Sequence, residues 1–126
     1  MAALLGIGAL GGIGVKLWLV RPGAREARDR AAAEHQLVQV GGILQRYWHD
    51  HGRFPESLDP LTTEVEPATR APYLVRAMLE NPWKSPIRVA ERTDERTVLE
   101  SSGPGVSLRA TVEKDQGIVV EAEGAK

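Results

Sequence analysis

The apolar positions of this chain follow three regimes in turn. Residues 2–20, AALLGIGALGGIGVKLWLV, are apolar or glycine apart from Lys16. About 19 helical residues span roughly 28 Å, the thickness of a bilayer's hydrocarbon, so residues 1–20 are expected to form a membrane anchor. Lys16 lies near one end, where its stem reaches the headgroups, and Trp18 sits at interfacial depth. At Arg21 the composition turns to RPGAREARDRAAAEHQ. Pro22 and Gly23 punctuate, and Ala, Arg and Glu then favour an exposed helix. Beyond it, Leu37, Val40, Leu44 and Tyr47 recur at spacings of three, four and three, with Ile43 beside them. That spacing places them on one face, which predicts an amphipathic helical spine over 21–52 packed against a sheet. Gly41-Gly42 is expected to bend this helix or to allow close backbone approach. Gly52 suits a left-handed stop, and Pro55 lies just beyond.

After Pro55 the pattern breaks into short pieces divided by Pro60, Pro67, Pro72, Pro82, Pro86 and Pro104. Ser57 to Val65 has room for a helical turn, and Tyr73 to Leu79 for another short element. Ile87 to Val89, Thr97 to Leu99, Ser107 to Val112 and Ile118 to Glu121 read as strands. Glu113 to Gly117 reads as the turn of a terminal hairpin. The expected fold class is α+β: an N-terminal transmembrane and spine helix, then a small antiparallel sheet forming a head over 53–126.

Charge and composition narrow the functions. Sixteen Lys and Arg stand against 17 Asp and Glu, a formal net charge of −1, so no basic excess points to nucleic acid. The chain has no cysteine, which removes disulfides, thiolate catalysis and cysteine-ligated metal centres. At 126 residues there is room for one small domain.

No catalytic constellation is legible. Gly6-Ile-Gly8-Ala-Leu-Gly11 matches the dinucleotide fingerprint letter for letter, but it lacks the flanking strand, the amphipathic helix and the distal acid. Gly8 and Gly12 spell a close-packing motif that suits a membrane helix better. His49 and His51, two apart on a helix, face nearly opposite ways and cannot share a metal there. Ser101-Ser102-Gly103 has no nucleophile elbow around it. Asp59, Glu64 and Glu66 lie among prolines, where surface solvation is expected. Phe54 and Trp83 are expected to fill the core, Phe54 closing the helix end and Trp83 covering a sheet edge from a stiff turn.

Three ordered segments carry a family resemblance. Tyr47-Trp-His-Asp-His-Gly52-Arg-Phe54-Pro55 is similar to the helix end of the major pseudopilin of bacterial type II secretion, which carries a tyrosine and then Asp-Asn-Gly-Arg-Tyr-Pro. Asn81-Pro82-Trp83-Lys84-Ser85-Pro86 resembles that family's Asp-Pro-Trp-Gly-Asn-Pro. Ser102-Gly103-Pro104-Gly105 resembles its Ser-x-Gly-Pro-Asp-Gly. Pro22 also sits where pilin-like helices often carry a proline. The chain departs from the family in having no acid in Met-Ala-Ala-Leu-Leu and no aspartate-rich calcium loop, since Asp115 is the single aspartate between Gly103 and Lys126. The resemblance implies a divergent, non-enzymatic structural subunit with no cofactor. It would be anchored by one pass in the bacterial inner membrane, its head in the periplasm, and its partners would be itself or other pilin-like subunits. The positive flank of Lys16, Arg21, Arg25, Arg28 and Arg30 argues for the opposite topology. A single-pass accessory protein, whose head binds a partner without building a filament, is the alternative.

Overall fold

The computed structural model describes residues 24–123. The anchor expected over 1–20, with Gly8, Gly12, Lys16 and Trp18, and the proline at Pro22, lie outside the described residues. Among the described residues no helix is long and apolar enough to cross a membrane.

The chain is α+β: one long helix, α1 (Ala24–His51), precedes a four-stranded antiparallel sheet. The strands are β1 (Arg88–Arg92), β2 (Arg96–Gly103), β3 (Val106–Glu113) and β4 (Val119–Glu123), in the sheet order β1-β2-β3-β4. Such a meander needs only short turns, consistent with the Gly- and Asp-containing links between its strands. Short 3-10 turns at Asp59–Thr62 and Arg76–Leu79 occupy the proline-rich connection, within the two stretches expected to hold them. The chain divides into two compact units, with the boundary inside α1 between Ala31 and Ala32.

In the second unit the helical stripe becomes the core. Leu37, Val40, Ile43, Leu44 and Tyr47 are all buried, against Leu99, Leu108, Ala110 and Val112 from the sheet and Phe54, Leu58, Leu61 and Leu74 from the connection. Gly41-Gly42 does not interrupt α1, which runs through both residues. Gly41 serves the alternative use, close approach: a Cβ there would lie 2.8 Å from Ile118 Cδ1 and 3.1 Å from Val112 Cγ2, whereas one on Gly42 would meet nothing within 4 Å. The helix therefore seats directly on the β3–β4 side of the sheet because one position carries no side chain.

Polar side chains pin both flanks of the helix. Gln36 Nε2 donates to the carbonyls of Met78 and Glu80, and Gln45 Nε2 to those of Glu113 and Gln116. Trp48 Nε1 donates to Asp94 O, while the Lys114 ammonium stands 5.1 Å from the Trp48 ring centroid. Backbone carbonyls of the connection, of the end of β3 and of the turns beside it thereby gain side-chain donors.

Two expectations need correcting. Glu66 is buried, not solvated: its carboxylate accepts from Arg46 Nε at 2.8 Å, and its backbone closes the 66–71 turn through Ala71 and Arg70. A buried carboxylate requires such a partner, and Arg46, in the last turns of α1, supplies it. Ile87, expected to open a strand, is a buried residue ahead of β1 whose N–H bonds Leu79 O instead of the β2 ladder.

Candidate functional site

The residues singled out from sequence gather at two places. One is the C-terminal end of α1. Gly52 adopts φ 78°, and its N–H returns to Trp48 O at 2.6 Å, the left-handed stop a glycine makes cheaply. Phe54 is fully buried and Pro55 is buried beside it, so the chain leaves the helix by turning an aromatic inward. Arg92 Nε donates to Phe54 O across from β1 and fixes this exit to the sheet.

Tyr47 packs edge-on against Tyr73, their centroids 5.3 Å apart, and its other neighbour is the His51 ring at 4.2 Å. The Tyr73 hydroxyl donates to Asp50 Oδ2 and lies 3.3 Å from His51 Nε2, which is 3.3 Å from Glu64. His49 is exposed, and no group of three metal-ligating side chains occurs among the described residues. Asp50, between the two histidines, ties the helix end to the connection together with His51 and Arg46. Nothing local announces this, because Tyr73 is 23 residues away.

Burial, and then the hydrogen bond to Asp50, hold the Tyr73 phenol well above its ordinary ionisation range; burial, and then the charge of Glu64, raise that of Tyr47 against the opposing pull of Arg53 and Arg92. A phenol with a raised folded pKa stabilises the fold in its neutral form. That contribution is complete below about pH 10 and is lost as pH rises towards the folded value. Stability is therefore expected to fall on the alkaline side, and Tyr73→Phe should flatten that fall while costing about 1 kcal/mol at neutral pH. Denaturant midpoints between about pH 8 and 11 check both.

The second place joins the other two motifs. Asn81, buried, is its organiser. Its Oδ1 accepts the N–H of Trp83 at 2.9 Å and of Ser85 at 3.0 Å, an Asx-type turn. Its Nδ2 donates to Ser101 Oγ at 2.9 Å and Ser102 O at 3.0 Å, both on β2. All four hydrogen-bonding positions of one amide are used. Lys84 takes φ 68°, and its N–H closes on Asn81 O. Trp83, thereby aimed at the sheet, lies against Gly103, where a Cβ would stand only 2.6 Å from Trp83 Cε3 and Cγ and closer still to Cδ2. Pro82 and Trp83 are half-buried, whereas Pro86 and Pro104 are exposed and shape the backbone only. Gly105, at φ 70°, completes the turn from β2 to β3.

No family model, curated protein or solved structure matches the chain.

Each of the three motif segments contains one residue in the left-handed region: Gly52, Lys84 and Gly105. At Lys84 the resembled motif has glycine, the residue that conformation favours. Sequence reasoning missed Asn81 as the organiser of its motif. Its signal is the Asn-Pro pair opening a turn, which marks a loop without saying what the amide grips. Both places are fully engaged in packing and hydrogen bonding.

Proposed function

We propose that this chain is a non-enzymatic, membrane-anchored structural subunit of a pilin-like assembly of the type II secretion pseudopilus kind. The head of such a subunit has to be held in one shape by turns and packing, and the carrying observation is the Asn81–Trp83–Gly103 clamp. It brings the second and third motifs into contact, with a left-handed residue where the resembled motif has glycine. The apolar segment 2–20 supplies the anchor in this reading, with Gly8 and Gly12 for close helix contact and Lys16, Trp18 and Pro22 at its membrane boundary. The proposed place is the bacterial inner membrane, one pass, with the head in the periplasm. The partners are copies of itself or other pilin-like subunits.

Expression in a bacterium, membrane fractionation and imaging in mild detergent test this reading. The full chain is expected in the membrane pellet and, once extracted, in particles or short rods of several copies. A chain beginning near Arg25 is expected in the supernatant, because the apolar run is gone. Full-length protein remaining in the supernatant after ultracentrifugation without detergent would overturn the anchor. Extracted protein that is strictly one copy per particle would favour the accessory-protein alternative over the filament subunit.

A further inference from the structure

The two edges of the sheet are not alike. Beside the start of β1, Ile87 N–H bonds Leu79 O at 2.8 Å and Glu80 bridges Pro86, while a bulge between Val89 and Glu91 breaks the strand's regularity. Both are ways of closing an edge to further pairing. β4 has neither. Among the described residues its one strand neighbour is β3, and Val119, Glu121 and Ala122 are exposed.

The register carries a pattern that runs across the strands and stops at that edge. On the face away from the helix, Arg88 stands opposite Glu100, Glu100 opposite Arg109, and Arg109 opposite Glu121. Charge alternates in sign along the row, as favourable cross-strand pairs require. Arg88 pairs with Glu100, and the Arg109 guanidinium reaches Glu91 at 3.1 Å, towards β1. Glu121, the last member, makes no ion pair among the described residues. The next row on this face is Glu91, Val98, Thr111 and Val119, and the row on the helix side is Val89, Leu99, Ala110 and Val120. An added strand is thus asked for a cation opposite Glu121, flanked by apolar or β-branched residues opposite Val120 and Val119.

We propose that the β4 edge docks an extended basic segment of a partner protein as a fifth antiparallel strand, a Lys or Arg of that segment lying against Glu121. Backbone hydrogen bonds along β4 supply the attachment, and the Glu121 position sets register and charge preference. A second copy fits less well. Pairing β4 with β4 about Glu121 sets carboxylate against carboxylate, and pairing about Val120 leaves both glutamates without a cation. The β1 edge of another copy is occupied just ahead of Arg88, at Pro86 and Ile87, and Arg88 itself already pairs with Glu100.

The test uses the full chain, labelled for amide NMR in detergent micelles, titrated with the peptide acetyl-Ser-Val-Arg-Val-Thr-Val-Ser-amide and with its Glu-for-Arg counterpart. The arginine peptide is expected to shift amides of residues 118–123 and to bind about two- to fivefold tighter than the glutamate peptide, the range of a cross-strand charge pair. Glu121→Lys, an exposed change, is expected to exchange the preference while leaving the rest of the spectrum in place. Absence of shifts in β4, equal response to both peptides, or a preference unmoved by Glu121→Lys would overturn the proposal. Shifts in β4 that grow with protein concentration alone would overturn it in favour of a second copy.

Discussion

Asn81→Ala is expected to cost the head about 3 kcal/mol, from four hydrogen bonds lost at once at about 1 kcal/mol each, less what water restores. The amide joins a turn to a strand, so its removal frees the N–H groups of Trp83 and Ser85 and the acceptors at Ser101 and Ser102 together. For a unit of this size the melting temperature should drop by about 10–20 °C. Asn81→Asp separates the two halves of the role. It keeps the acceptor for both turn N–H groups and loses the donor to Ser102 O, so it should fall between alanine and the parent chain. Thermal or denaturant melts of the three proteins decide it. An alanine variant as stable as the parent would show that the loop is held by the Trp83 packing alone.

Gly103→Ala is the second large effect, and its sign depends on Trp83. With the indole in place, a Cβ would approach both Cε3 and Cγ at 2.6 Å and Cδ2 more closely still, so the ring has to leave its seat. Overpacking of this kind costs about 1–3 kcal/mol. Trp83→Ala alone removes a half-buried indole and should cost about 2–3 kcal/mol, less than the about 3–5 kcal/mol of truncating a fully enclosed aromatic. In the Trp83→Ala background, Gly103→Ala is relieved of the indole clash and restricts the unfolded chain. It should be neutral or stabilising by up to about 0.5–1 kcal/mol. The double-mutant cycle should thus give a coupling of about 1–4 kcal/mol, and additivity would sever the contact.

These two sites depend on contacts that a local pattern cannot encode. The stripe of Leu37, Val40, Leu44 and Tyr47, the stop at Gly52 and the hairpin turn between Glu113 and Gly117 are legible because each depends on neighbours within a few positions. A 3.6-residue period, a left-handed glycine and a polar turn are local properties, and the core face of α1 follows from them. Strand positions are legible to within a few residues for the same reason, their limits being set by pairing. Other features depend on contacts between distant segments. Glu66 is buried because Arg46, 20 residues earlier, comes to meet it. Asn81 matters because β2 passes beside it, and Gly103 because Trp83 lies over it. Gly41 reads as a weak point of the helix until Ile118 is seen against it. By itself the sequence determined the apolar face of α1, its stop at Gly52 and the approximate places of the turns and strands. Only the tertiary structure decided which side chains those turns bring within reach, because hydrogen bonds and packing between segments twenty or more residues apart leave no periodic trace in the chain.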